Sequence, residues 1–252
     1  MSTFIEKQRE QLRKTVGWAG KMQKTLQPLI ISSGHRVHFR PSSTGVSMIG
    51  LLPERPQRGS NRFRDLDVIV RDFEALFSQH CNPKEHGRKT GEKMLQSFLI
   101  REAYKHDRYI EPINAASRKG KHPVELIFVT DEIVVPMEPG KMVCDLLAFR
   151  HDAKVGVVPV LLELKDNRSM TRLIEQVDGF AKLMNLHADL FEQLYSASLG
   201  EQIRFGAKTE KWIVWPSYFT TNPLRVQHRA EVVPLRRPTP PRGRKPWCPT
   251  WL

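Results

Sequence analysis

The chain has 252 residues, with 40 Lys and Arg against 27 Asp and Glu and a formal net charge of +13. This length predicts one large domain, or one domain with flanking arms. Hydrophobic residues make up 40% and charged residues 27%, a composition that excludes wholesale disorder. No stretch of about 18 apolar residues exists, so we expect no membrane span. The first ten residues include charged side chains where a signal peptide needs an apolar stretch, so we expect no signal peptide. Three scattered cysteines agree with a reducing, cytoplasmic location.

The positive charge is concentrated in three segments. Residues 1–28, 35–64 and 234–252 carry net charges of +4, +5 and +5, whereas residues 65–233 carry −1. A single charged segment is usually an ordinary solvated surface. Three segments of the same sign around a neutral centre favour a nucleic-acid partner.

Residues 1–90 are predicted to form a basic region of helix and loop. Apolar residues at helical spacing predict an amphipathic helix over 4–26. Residues 33–64 are rich in Ser, Gly, Pro and Arg, which predicts a loop-rich connector. A short helix is expected at 73–77, and the polar stretch 82–91 predicts a domain boundary.

Residues 91–233 have the pattern of an α/β domain. Helices are predicted at 92–106, 170–185 and 188–198, and strands at 124–129, 141–149, 156–165 and 211–215. The second and third strands are separated by a short polar stretch, so we expect them to form a hairpin. The order helix, three strands, helix, strand predicts a mixed sheet covered by helices, an α/β sandwich. The tail, residues 234–252, has six prolines in 19 residues and is predicted to be disordered.

Three charged residues interrupt these apolar strands: Asp145, Glu163 and Lys165. Charges at such positions are costly unless they are paired or bound to metal. Strand alternation places Glu163 and Lys165 on the same face. If the hairpin turns about residue 153, Asp145 lies opposite Leu161 and diagonal to Glu163, at about 7–8 Å. Two carboxylates at that separation can share one Mg²⁺ completed by water and phosphate, and a nearby Lys can position or activate a nucleophile.

The spacing of these residues resembles a known family. An Asp followed after 17 residues by Glu-x-Lys is similar to the motif of the PD-(D/E)xK nuclease superfamily, although Pro139 lies six residues before Asp145 rather than beside it. The element order over 91–216 is similar to the restriction-endonuclease-like core of that superfamily. The resemblance implies a metal-dependent nuclease that hydrolyses phosphodiester bonds in DNA, with Mg²⁺ or Mn²⁺ as its cofactor.

The resemblance also implies roles for particular residues. Asp145 and Glu163 would be metal ligands, and the Leu164 carbonyl would complete the metal shell. Lys165 would position or activate the attacking water.

Two further residues are expected to support the site. The family often supplies an acid from the helix before the strands, and here that acid is Glu92, with Glu102 as the alternative. Gln176 lies on the otherwise apolar face of the following helix. Each residue also has an ordinary interpretation: Glu92 is a first-turn acid favoured by the helix dipole, Gln176 is a polar residue at a helix edge, and the charged cluster is an ion-pair network.

Several alternatives remain open from the sequence. A non-catalytic nucleic-acid-binding module could keep the same fold. Asp65 and Asp67, after Gly59 and Ser60, resemble the paired acids of nucleotidyltransferases, although the spacing is short. His35 and His38, and Cys81 with His80 and His86, give only a weak signal for zinc, because no second Cys pair has the spacing of a zinc site. A second copy of the chain, or a partner protein, is a candidate to bind through the N-terminal region or the tail.

Overall fold

The computed structural model describes residues 3–51, 58–59, 62–81, 91–119, 123–165, 173–217 and 229–234. Its helices are α1 (Phe4–Ser32), α2 (Asp67–Arg71), α3 (Phe73–Cys81), α4 (Gly91–Lys105), α5 (Glu111–Ser117), α6 (Leu173–Leu186) and α7 (Ala188–Leu199). Its strands are β1 (Val37–Ser42), β2 (Gly45–Gly50), β3 (Arg58–Gly59), β4 (Ile127–Asp131), β5 (Val134–Pro136), β6 (Lys141–Val143), β7 (Leu146–Asp152), β8 (Gly156–Leu164), β9 (Glu210–Ser217) and β10 (Arg229–Pro234). Among the described helices, none has the length and apolar character needed to cross a membrane.

The centre of the fold is a five-stranded mixed sheet with the strand order β10-β9-β8-β7-β4. β8 and β9 are parallel, and the other neighbouring pairs are antiparallel. Helices lie on both of its faces, because alternate residues of β7 and β8 belong to two separate apolar clusters. The predicted α/β class is therefore confirmed, as are the predicted helices that became α1, α3, α4, α6 and α7. The strand β10 was not predicted.

The turn between β7 and β8 corrects the predicted register. Asp152 pairs with Gly156, so the turn consists of residues 153–155 and is centred on residue 154 rather than on residue 153. The Asp152 carboxylate accepts hydrogen bonds from the amides of Lys154 (2.9 Å) and Val155 (3.3 Å), and Gly156 has a φ of 80° that favours glycine. These local interactions determine the turn, and hydrophobic alternation alone does not reveal them.

The corrected register changes the partner of Asp145. Leu147, and not Asp145, faces Leu161, and Leu146 faces Leu162. Continued by one residue beyond its last pair, this register places Asp145 across from Glu163. The predicted position of Asp145, opposite Leu161 and diagonal to Glu163, was therefore wrong, because Leu161 pairs with Leu147.

The predicted strand 141–149 is in fact two strands. Residues 141–143 form β6, which pairs with β5 in a separate two-stranded sheet, and the central sheet resumes at Leu146 with β7. Asp145 lies at this break and immediately precedes the first residue of β7. The break leaves its main-chain carbonyl available to groups other than a neighbouring strand.

The predicted loop over 33–64 was also wrong in part. β1 and β2 form an antiparallel hairpin in which Val37 pairs with Gly50. Val37, Phe39, Val46 and Met48 are fully buried, and the Ser, Gly and Arg residues between them concealed this alternation. The described part of the connector is thus sheet. The rest of it and the tail after residue 234 lie outside the described residues, as does the predicted boundary at 82–91 apart from Gly91, which begins α4.

The N-terminal helix α1 begins as predicted but continues to Ser32. Thr3 and Glu6 form a capping box, in which each side chain accepts a hydrogen bond from the other residue's amide. Leu12 and Ala19 pack in the cluster on the α6–α7 face, and Leu26 packs in the cluster on the α4 face. The described residues of the N-terminal region therefore share their core with the α/β domain.

Candidate active site

Asp145 and Glu163 form the centre of the candidate site. Glu163 is near the end of β8 and only 3% exposed, while Asp145 is half-buried at the start of β7. The Leu164 amide donates a hydrogen bond of 2.8 Å to Asp145 Oδ2, which ties this carboxylate to the end of β8. Leu162 and Leu164 pack in the core on the other side of the sheet, as alternation predicts.

Asp145 and Glu163 lie in surroundings that make the ionisation of each carboxyl group less favourable. Burial, followed by the negative charge of Asp145, raises the pKa of Glu163 to about 7, although Lys165 acts in the opposite direction. Burial also raises the pKa of Asp145, against a lowering by the Leu164 amide and by Lys93. Two adjacent carboxylates with raised pKa values attract a cation, because a positive charge between them offsets their repulsion.

Lys165 follows β8 directly and contacts both acids that flank it. Its Nζ lies 3.0 Å from Glu163 Oε1 and 3.2 Å from Glu92 Oε1. Burial lowers the pKa of Lys165, but the pairs with Glu163 and Glu92 outweigh that effect and raise it. Lys165 is therefore an ammonium at neutral pH, a hydrogen-bond donor rather than a base.

Glu92, and not Glu102, reaches the site. Glu92 is in the first turn of α4 beside Lys165, as the distance above shows. Glu102 lies ten residues further along the same helix, about 15 Å away at 1.5 Å per residue. Its carboxylate pairs with Lys105 at 2.8 Å. The choice that the sequence left open is thus decided by the helix geometry.

Gln176 approaches the site from α6. Its Nε2 donates hydrogen bonds of 3.4 Å to Glu163 Oε1 and to the Val143 carbonyl. This side chain thereby connects α6 to a carboxylate oxygen of Glu163 and to the end of β6. The structure brings together all five of the predicted catalytic residues: Glu92, Asp145, Glu163, Lys165 and Gln176.

The residues present are compatible with Mg²⁺ or Mn²⁺. No group of three or more His, Cys, Asp and Glu side chains in the described part of the chain is arranged to hold a metal ion. Mg²⁺ does not need such a cage, since it is commonly bound by one or two carboxylates together with waters and a substrate phosphate. The opposed Asp145 and Glu163 supply those carboxylates. The role of the Leu164 carbonyl stays a prediction; its amide is the group that contacts Asp145.

The residues of the alternative sites are placed differently. Asp65 and Asp67 are exposed at the start of α2, a helix rather than the strand that a paired-acid site requires, and the Asp67 amide donates to Asp65 Oδ1. Cys81 is buried, and its thiol donates to the Met48 carbonyl. His38 contacts Tyr104 and Asp131 instead of Cys81. These contacts do not favour a zinc site.

The sequence reasoning missed a second group of polar residues behind the site. Lys93 and Gln96 of α4 contact Asp131 and Glu132, which end and follow β4, and Arg40 of β1 pairs with both of these acids. A signal was present in the sequence, because Gln96 stands between the apolar residues of α4 and Asp131 ends an apolar strand.

Comparison with protein-family models, with curated proteins and with solved structures finds no match to this chain.

Proposed function

We propose that this protein is a Mg²⁺- or Mn²⁺-dependent nuclease that hydrolyses phosphodiester bonds in DNA, with a restriction-endonuclease-like core of the PD-(D/E)xK superfamily. The observation that carries the proposal is the convergence of Asp145, Glu163 and Lys165 at one end of the central sheet. The corrected register supports it, since its continuation by one residue brings Asp145 across from Glu163. The order of α4, β4, β7, β8, α6 and β9 supports the core assignment.

The chemistry follows from the state of each side chain. A divalent cation, when bound, stabilises charge on the phosphate and lowers the pKa of a coordinated water. Asp145 and Glu163 would hold that cation. The Lys165 ammonium donates hydrogen bonds that orient the attacking water or balance charge on the phosphate. Glu92 holds Lys165, and Gln176 orients Glu163.

The charge distribution supports DNA as the substrate, with one refinement. Part of the basic charge of the N-terminal region is neutralised by ion pairs within the protein. Arg40 pairs with Asp131 and Glu132, Arg36 with Glu74, and Arg9 with Asp189. The exposed residues Arg13, Lys21 and Lys24 of α1, together with the basic tail, are then the better candidates for phosphate contacts.

The test is incubation of the purified protein with supercoiled plasmid and with single-stranded DNA in Mg²⁺, Mn²⁺ or EDTA. We expect cleavage with either metal, none in EDTA, and a rate lower by at least about 10²–10³-fold with Glu163→Ala. Equal cleavage by the wild type and Glu163→Ala would reject this site. DNA binding without cleavage by the wild type would favour a non-catalytic binding module.

A second variant separates the nuclease from the nucleotidyltransferase alternative. The double substitution Asp65→Ala and Asp67→Ala is expected to leave the cleavage rate unchanged, because both side chains are exposed at the start of α2 and their hydrogen bond is to each other's residue rather than to the site. The measurement is the initial rate of plasmid cleavage at saturating Mg²⁺. Loss of cleavage in a folded double variant would move the chemistry to the N-terminal region.

The tail provides a prediction about binding. Deletion of residues 235–252 removes five Lys and Arg. Each neutralised phosphate contributes about −0.9 to the slope of log affinity against log salt, so we expect the slope to flatten by about two to three units. The measurement is a titration of labelled duplex at several salt concentrations. A full-length variant with these five residues changed to Gln is the matched control and should behave like the deletion; an unchanged slope in both would exclude the tail from DNA binding.

A further inference from the structure

A buried polar cluster lies behind the candidate site, between β1, α4 and the end of β4. Its members are His38, Arg40, Gln96, Tyr104 and Asp131. Asp131 is 0% exposed, and Gln96 and His38 are each 1% exposed. Burial of polar groups in this way is costly unless each is hydrogen-bonded, so the cluster calls for an account of its bonds.

Asp131 is the centre of the cluster. Its Oδ1 lies 2.8 Å from His38 Nε2 and accepts a hydrogen bond of 2.9 Å from Arg40 Nε, and its Oδ2 accepts from Gln96 Nε2 at 3.0 Å. Burial opposes the charge on Asp131, but Arg40 and His38 outweigh burial and hold its pKa well below its usual value. Tyr104 extends the cluster through a 2.6 Å contact between its hydroxyl and His38 Nδ1. Asp131 is therefore an anion held in one orientation from several sides.

Gln96 connects this anion to the candidate site. The same Nε2 that contacts Asp131 also donates a hydrogen bond of 3.1 Å to the main-chain carbonyl of Asp145. The Oε1 of Gln96 accepts from Lys93 Nζ at 2.9 Å, so both ends of the carboxamide are bonded. Because the two donors of the amide are satisfied by Asp131 and Asp145, the orientation of Gln96 is determined by the cluster.

The main chain after β4 contributes a second bond to the same carbonyl. The Glu132 amide donates to the Asp145 carbonyl at 3.2 Å. Glu132 has a φ of 43°, in the left-handed region that is unfavourable for a residue with a Cβ, and the register of β4 shifts between Phe128 and Thr130. Lys93 and Arg40 both pair with the Glu132 carboxylate and hold this segment in place.

We propose that Gln96 is a positioning residue: its carboxamide transmits the fixed orientation of buried Asp131 to the main chain of Asp145 and so aligns the Asp145 carboxylate with Glu163. This inference rests on the proposed function, since the alignment matters for binding a divalent cation. An apolar residue of similar size at position 96 would fill the same space without a desolvation cost. The polar cluster instead ends on the main chain of a proposed metal ligand. It also gives β1 a role, because His38 and Arg40 supply two of the bonds to Asp131.

The test compares Gln96→Met with Ser97→Ala as the matched control. Gln96→Met keeps the volume but removes the carboxamide. Ser97 is buried on the same helix, and its hydroxyl has no hydrogen-bond partner among the described residues. Binding of Mn²⁺ to the DNA-free protein is measured by electron paramagnetic resonance at a temperature where circular dichroism shows every variant folded. The kcat and KM for plasmid cleavage are measured at fixed Mn²⁺.

Mutation of a hydrogen-bond partner of a metal ligand typically lowers metal affinity or activity by about 10–100-fold. We expect a loss in that range for Gln96→Met in both Mn²⁺ affinity and kcat. The KM for DNA should stay unchanged, and Ser97→Ala should match the wild type. If Gln96→Met does not fold, Tyr104→Phe removes only the hydroxyl bonded to His38 and should weaken Mn²⁺ binding by about threefold to tenfold.

The outcomes separate this inference from the proposed function. Equal Mn²⁺ affinity and kcat in Gln96→Met and Ser97→Ala would overturn the positioning role. If Glu163→Ala has lost Mn²⁺ binding in the same experiment, the assignment of the nuclease site still stands. Unchanged Mn²⁺ affinity in Tyr104→Phe has the same meaning if that variant is the one that folds. A wild type that neither binds Mn²⁺ nor cleaves DNA would overturn both.

Discussion

Substitution of Asp145, Glu163 or Lys165 by Ala is expected to reduce metal-dependent DNA cleavage by at least about 10²–10³-fold, the loss found when one preorganised electrostatic group is removed from an active site. Each carboxylate removed takes away half of the opposed pair. Lys165→Ala removes the ammonium that Glu92 and Glu163 hold. The measurement is the initial rate of supercoiled plasmid cleavage at saturating Mg²⁺, with circular dichroism to verify folding.

Glu102→Ala is the matched control for these variants. Glu102 is another acid of α4, but it pairs with Lys105 away from the site. We expect its cleavage rate to equal that of the wild type. Full activity in any two of the three site variants, or a loss in Glu102→Ala as large as theirs, would contradict the assignment of the site.

Glu163→Gln is expected to stabilise the metal-free protein at pH 8 by up to about 3 kcal/mol, at 1.36 kcal/mol for each unit of pKa change. The pKa of Glu163 is about 7 in the folded protein against an ordinary 4.5. Between these values the folded state binds more protons than the unfolded state, so the wild type loses stability as pH rises from about 4.5 to about 7. Above pH 7 the full difference remains, and near pH 4.5 the two proteins should be equally stable.

The measurement is urea-induced unfolding in EDTA at pH 4.5, 6 and 8. Gln is close in size to Glu, so the comparison isolates the charge. Glu125→Gln, which neutralises an exposed carboxylate, is the control and should leave the shape of the pH profile unchanged. A wild-type protein whose stability rises between pH 6 and pH 8 relative to Glu163→Gln would contradict the account of the carboxylate pair.

The candidate site could be found from the sequence because charge is conspicuous in an apolar strand. Asp145, Glu163 and Lys165 interrupt runs of Val and Leu, and the cost of burying charge makes such positions informative. Alternation correctly separated Glu163 from Leu162 and Leu164. The helix α4 was also predictable from its apolar spacing, and with it the position of Glu92 at the first turn.

The register of the hairpin could not be obtained in the same way. A shift of the turn by one residue changes every cross-strand partner. Here the turn depends on hydrogen bonds that the amides of Lys154 and Val155 donate to the Asp152 carboxylate, together with the positive φ of Gly156. These are local side-chain effects, and the apolar pattern of β7 and β8 is equally consistent with either register.

The polar cluster behind the site was missed for a different reason. His38 and Arg40 belong to β1, which was predicted as loop because the surrounding sequence is rich in Ser and Gly. Their partner Asp131 is more than 90 residues away in the chain. A pairing over that distance depends on how β1 packs against α4 and β4, which no local pattern encodes.

The most direct measurement of the central claim is the location of Mn²⁺ in crystals of the protein by its anomalous scattering. We predict a Mn²⁺ ion bound by the carboxylates of Asp145 and Glu163 in the wild type, and no ion at this position in Glu163→Gln crystals prepared in the same way. Absence of Mn²⁺ from the carboxylate pair at a concentration that supports cleavage, with the ion bound elsewhere in the chain, would contradict the proposed site.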